Sequence, residues 1–191
     1  WRRGKTDALL LLGWIGTAML GGALRWRPMA WVTGDRATGK STLHEMLAIV
    51  MGEGIVSVAD ATGAGIWQKL GHASLPVAID ELEADEDNRR ALAIIKLARQ
   101  AASGAVMLRG GADHKGVEFT ARSCFLFSSI LIPPMQPQDR SRMAILELEP
   151  LVAPGEAFRG PPKLDHRRLA EIGAALRRRL VDGWHRWEAT L

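Results

Sequence analysis

Apolar and polar positions along this chain fall into blocks that switch between two periods. Met29–Thr33 is a short apolar run entering Gly34, and it predicts a strand. Beyond it, Leu43, Met46, Leu47 and Val50 recur at i, i+3, i+4 and i+7. That spacing predicts a helix over Ser41–Met51, stopped by Gly52 and Gly54. Ile55–Ala59 and the wholly apolar Leu75–Ile79 predict two more strands, with a short helix over Thr62–Leu70 between them. A long helix is expected over Asp85–Ala102, with Leu92, Ile95, Ala98 and Ala102 inward and Ser103-Gly104 ending it. Ala105–Leu108 and Val117–Thr120 read as the arms of a hairpin. Ser123–Ile130 and Ala144–Leu148 are the last strands. Strands alternating with helices point to an α/β fold with a mainly parallel central sheet flanked by helices. The chain divides into a core over 1–149, a Pro- and Gly-rich linker over 150–163 and a basic C-terminal helix over 164–191.

One apolar stretch stands apart. Ala8 to Leu24 holds no charge over 17 residues, with Arg2, Arg3 and Lys5 before it and Arg25 and Arg27 after it. A membrane span or a signal peptide would look similar. The run is short for a span and contains four glycines, and a strand follows it closely. It reads as a helix over 6–24 packed on the core, and no membrane partner is expected.

Composition narrows the chemistry. The chain has 191 residues, 47% hydrophobic and 24% charged, enough for one sizeable core. Its single cysteine, Cys124, allows neither an internal disulfide nor a C-x-x-C motif, and its place in an apolar strand makes it an inert core thiol. The net charge of +4 permits an anionic partner without requiring one. There is no Tyr and one Asn, Asn88. The first residue is Trp1 rather than Met, which fits a piece of a longer protein.

The sharpest motif is Gly34-Asp35-Arg36-Ala37-Thr38-Gly39-Lys40-Ser41, followed by Thr42. It matches G-x-x-x-x-G-K-[ST], set between an apolar strand and an amphipathic helix as a phosphate loop requires. The glycines let backbone N–H groups turn onto phosphate oxygens, assisted by the positive end of the helix. Lys40 would neutralise the β- and γ-phosphates, and Ser41 would place its hydroxyl on Mg²⁺. The strand Leu75–Ile79 then ends in Asp80-Glu81. Asp80 is suited to hold Mg²⁺ through water, and Glu81 to orient and deprotonate an attacking water. Glu83, Asp85, Glu86 and Asp87 read as the solvated start of the next helix. A GTPase needs an Asn-Lys-x-Asp base reader, and Asn88 is followed by Arg89, so that class is excluded. A small-molecule kinase fits poorly with Glu81, because transfer to an acceptor needs no base for water.

Over about Leu9 to Glu149 the order of these motifs resembles the AAA+-type ATPase cores of superfamily 3 helicases and the primase-helicases of phages and plasmids. The order is phosphate loop, acidic pair, hairpin, polar-tipped strand and arginine. The resemblance implies ATP and Mg²⁺ bound between subunits of a homo-oligomeric ring, a hexamer, acting in the cytoplasm of a bacterial or phage-infected cell. It implies that Ser128 or Ser129 is the sensor of the γ-phosphate, where most of the group has Asn. It implies that Arg142, or else Arg140, is a finger reaching the neighbouring subunit's nucleotide. In the group, the tip of the hairpin touches the DNA backbone; here that tip is Asp113-His114-Lys115, with Arg109 at its base. Primase or other replication domains on the same full-length chain are also implied.

The remaining residues carry less. Arg167-Arg168 and Arg177-Arg178-Arg179 read as an exposed basic face or a nucleic-acid surface. Trp184 and Trp187 are expected to pack the tail onto the core. His44, His72, His166 and His185 show no ligand spacing, so no zinc site is expected. The leading expectation is an ATP-hydrolysing DNA helicase or translocase core, with single-stranded DNA as partner. A non-helicase ATPase for remodelling, packaging or defence stays open, as do a phosphotransferase and a catalytically dead nucleotide-binding module.

Overall fold

A computed structural model describes residues 1–84, 87–110, 116–152, 160 and 162–189. Five parallel strands form its sheet: β1 (Met29–Thr33), β2 (Val56–Val58), β3 (Val77–Ile79), β6 (Phe125–Ser129) and β7 (Met143–Glu147). Their order across the sheet is β2-β3-β6-β1-β7. β1 lies between β6 and β7, with Met29 level with both Phe125 and Met143. The inner strands are apolar on both sides because both faces are covered: every residue of β3 and β6 is buried.

Helices α1 (Lys5–Met19), α2 (Lys40–Met51) and α6 (His166–Asp182) cover one face. Helices α3 (Gly63–Leu70) and α4 (Arg89–Ser103) cover the other. A 3-10 turn, Gly52–Gly54, follows α2; a short α5 (Pro137–Arg140) precedes β7; and α7 (Trp184–Glu188) ends the tail. The hairpin strands β4 (Val106–Gly110) and β5 (Gly116–Thr120) pair antiparallel outside the main sheet. Phe119 at its base is buried and meets Trp67 of α3 in a T-shaped contact, ring centroids 5.3 Å apart.

Several expectations are corrected. The apolar helix ends at Met19, not at residue 24, because the chain turns at Gly21-Gly22. Trp14 and Ile15 are buried, and the Trp14 indole donates to Phe125 O at 3.1 Å, so α1 is a core helix. Among the described residues no helix is long and apolar enough to cross a membrane. Arg27 belongs to the interior: its guanidinium is buried and donates to Gly21 O, Leu24 O, Ala101 O and Ala102 O, closing the C-terminal end of α4. Leu92 faces outward at 39% exposure, because the buried stripe of α4 centres on Ile94, Ala98 and Ala101.

The tail is two helices, α6 and α7, broken at Gly183. Its hold on the core comes from Leu169, Leu176 and Gly173 rather than from Trp187, which is 46% exposed. Gly173 fits so closely that a Cβ there would lie 1.9 Å from Val50 O. Arg177 is not part of a free basic face. It donates to Met51 O at 2.6 Å, satisfying a carbonyl at the end of α2.

Candidate active site

In a parallel sheet the loops that follow the strands gather at one end. Here the loop after β1 and the segment after β3 meet there, separated by the end of β6. They line a cavity of about 610 Å³, whose walls include Arg36, Ala37, Thr38, Gly39, Lys40, Ser41, Thr42, Asp80 and Glu81. Gly34 and Asp35 line a neighbouring hollow on the other side of the loop.

The loop is held by its own contacts. Thr38 Oγ1 donates to Asp35 O at 2.8 Å. Gly39 caps α2 in the left-handed conformation, φ +93°, which costs glycine nothing and disfavours other residues. Lys40 Nζ folds back over the loop, donating to Gly34 O at 2.5 Å and Asp35 O at 2.9 Å. The first turn of α2 carries no carboxylate, so its N-terminal amides keep their positive potential for an anion.

The acidic side is equally organised. Asp80 Oδ1 accepts from the Glu81 amide at 3.0 Å and from the Ser128 hydroxyl, a short contact. Among the described residues no donor is placed on Oδ2. His44, buried on α2, brings Nε2 to 2.8 Å from Ser128 Oγ and 3.8 Å from Asp80 Oδ1. Burial lowers the His44 pKa, against the opposing pull of Asp80, and so favours the neutral ring. Glu81 is exposed, and its backbone is left-handed at φ +58°.

Glu83 does not behave as a solvated helix start. Its carboxylate accepts from the amides of Ile130 and Leu131, at 2.6 and 3.0 Å, and so clamps the turn after β6 beside the cavity. The pattern of acids near a helix start hid this contact, since its partners are 47 and 48 residues away.

The two sensor candidates face opposite ways. Ser128 points to α2 and Asp80. Ser129 is buried on the other face, where its Oγ accepts from the Trp31 indole at 2.8 Å. Arg140 and Arg142 are both exposed and stand before the start of β7, at the far end of the sheet from the cavity. Five residues at ~3.3 Å each put about 16 Å of strand between Arg142 and that end. The Arg142 guanidinium rests over the Trp26 ring, 5.3 Å from its centroid. Neither arginine reaches its own cavity. Arg109 lies on β4, while His114 and Lys115 fall outside the described residues.

The residues present fit a Mg²⁺ ion. Asp80 and the exposed Ser41 are hard oxygen donors on one cavity, and Mg²⁺ takes few protein ligands when substrate phosphates supply the rest. Among the described residues there is no cluster of three His, Cys, Asp or Glu side chains of the kind a protein-only metal cage needs.

No family model matches the sequence, and no curated protein does. Solved structures do match. The A-form apo structure of the NrS-1 C-terminal region aligns with a TM-score of 0.56 and 16% identity, over 90% of this chain and 40% of that one. A second apo structure, of NrS-1 C-terminal region 305–718, gives 0.53 and 15%, over 90% and 39%. The likeness is one of fold. The chain spans about two fifths of the length of these structures.

Proposed function

We propose that this chain is an ATP-hydrolysing P-loop domain of the AAA+ type, the motor core of a phage- or plasmid-type replication helicase. One observation carries the reading: Arg36–Ser41 of the loop and the Asp80-Glu81 pair, more than thirty residues apart in sequence, line the same cavity. The fold likeness to the NrS-1 C-terminal region supports the architecture and leaves the chemistry to the residues.

In this reading the loop amides and the N-terminus of α2 bind the phosphates. Lys40 exchanges its two loop carbonyls for phosphate oxygens, so the folded-back lysine is the waiting state of a phosphate ligand. Bound Mg²⁺, held by Ser41 and by Asp80 through water, would supply charge neutralisation of the phosphates. Glu81 takes the proton of the attacking water. Arg142 or Arg140 serves the cavity of a neighbouring copy in a ring, because neither reaches its own. Single-stranded DNA is the proposed second partner, contacted by the hairpin.

Lys40→Ala should abolish ATP turnover measured by phosphate release, and turnover at the wild-type rate would sink the reading. Turnover of the wild-type chain should rise with single-stranded DNA, and the rise should fade with added salt as phosphate contacts are screened. ATP turnover indifferent to DNA would leave an ATPase and remove the helicase.

A further inference from the structure

His44 has no part in the reading above, yet it is buried where α2 meets the ends of β3 and β6. Its surroundings fix the direction of each hydrogen bond. Asp80, as a carboxylate, can only accept, so the Ser128 hydroxyl spends its single proton on Oδ1. The Ser128 oxygen is then left to accept, and the atom facing it at 2.8 Å is His44 Nε2. That nitrogen must therefore carry the ring proton. Nδ1 is buried and among the described residues has no hydrogen-bond partner, so a proton there would be an unpaired buried donor.

We infer that His44, as its Nε2–H tautomer, is a positioning residue that acts through Ser128 to hold the Asp80 carboxylate with Oδ1 turned inward and Oδ2 presented to the cavity. The inference rests on reading Asp80 as the Mg²⁺ carboxylate. It assigns Ser128 a different task from the sensor role that the family resemblance implies. The Ser128 hydroxyl serves the carboxylate, and its proton is not free for a phosphate. His44 lies three residues beyond Ser41 on α2. The chain His44–Ser128–Asp80 therefore ties the helix that carries one proposed Mg²⁺ ligand to the strand that carries the other. Such outer partners of ligating carboxylates set ligand orientation and metal affinity.

Two measurements on the whole chain test this. A long-range ¹H–¹⁵N spectrum, with the His44 signals assigned by their loss in His44→Gln, should show the Nε2–H tautomer. Ser128→Ala should convert those signals toward a mixture. An Nδ1–H ring, or a ring unmoved by Ser128→Ala, overturns the inference whether or not the chain hydrolyses ATP. In ATP turnover titrated with Mg²⁺, His44→Leu should raise the Mg²⁺ needed for half-maximal rate roughly tenfold. His44→Gln, which restores an N–H donor near the Nε2 position, should recover most of that. A His44→Leu variant with wild-type Mg²⁺ dependence overturns the inference, as does a Gln variant no better than Leu. If the wild-type chain turns over no ATP, the reading of the cavity fails, and the tautomer spectrum alone decides the hydrogen-bond chain.

Discussion

Glu81 holds a backbone conformation that L-residues avoid, φ +58°, at a cost of about 1–2 kcal/mol. The neighbours enforce it: the Glu81 amide donates to Asp80 Oδ1, and the next amide, Leu82 N, donates to Ser128 O at 2.9 Å. Strain at a non-glycine residue beside a cavity is a mark of a functional position. If Glu81 is the base, Glu81→Gln should bind ATP, melt with the wild type and hydrolyse slowly. Glu81→Gly should also lose hydrolysis yet melt no lower, since glycine relieves the strain. Melting curves beside phosphate release check both, and unchanged hydrolysis in the Gln variant removes Glu81 as base. Cys124 gives an independent residue-scale prediction. Burial pushes its thiol up to about 12 from 9.0. Thiolate is thus disfavoured in the folded chain, and the stability this contributes is complete below about pH 9 and is lost as pH rises toward 12. Iodoacetamide near neutral pH should leave the folded chain unmodified and label it once unfolded by guanidinium. Rapid labelling of the folded chain would contradict the buried thiol.

At this scale the candidate site is readable in the sequence where its residues are contiguous. Gly34 to Ser41 and Asp80-Glu81 each announce themselves within a few residues, because a loop turn or a strand end imposes local spacing. His44, Glu83 and Arg27 could not be read in the same way. Their partners sit 84, 47 and up to 75 residues away, and no local pattern encodes the choice. The one available signal was that His44 shares the first turns of α2 with Lys40, at i+4, and so faces the same end of the sheet.

Among the elements, α2 is the one on which the cavity depends, and α6 secures its back. The two helices cross at Gly173, where the backbone of one lies against Val50 of the other. Arg177 closes the end of α2, and His166 faces Glu45 at 3.3 Å. Gly173→Ala sets two effects against each other. Alanine gains about 1 kcal/mol in helix propensity. The new Cβ would meet Val50 O at 1.9 Å, backbone that cannot swing aside, and overpacking of that kind costs about 1–3 kcal/mol. The clash should win, lowering the urea midpoint; an unchanged or higher midpoint would show that α6 does not dock this tightly. Element positions were readable because each strand and helix carries its own period, and β1 falls on Met29–Thr33 as expected. The facing of α4 was misread at Leu92 because a stripe of small alanines carries less weight in a hydrophobic pattern than one leucine. The tail's attachment differs from expectation at Trp187, which is exposed, while Leu169, Leu176 and the close approach at Gly173 make contact with the core.

For the whole molecule, the distance between Arg142 and the cavity is the fact with the widest reach. An arginine at the far end of the sheet can complete a nucleotide site only in another copy. Mixtures of wild-type chain with Arg142→Ala should therefore lose ATPase activity more steeply than in proportion to the variant added. A linear loss would count against a finger shared between subunits. The order of strands has a consequence of another kind. β1, which carries the Gly34–Ser41 loop, pairs with no strand near it in sequence; its ladders run to Phe125–Ser129 and Met143–Glu147. Pairings that distant are slow to form, because a long stretch of chain must close before they reward it. As synthesis proceeds toward the C-terminus, β1 emerges about a hundred residues before its partners and waits unpaired, an apolar segment with both edges open. The loop that defines the cavity is thus made well before the strands that hold its own strand in place.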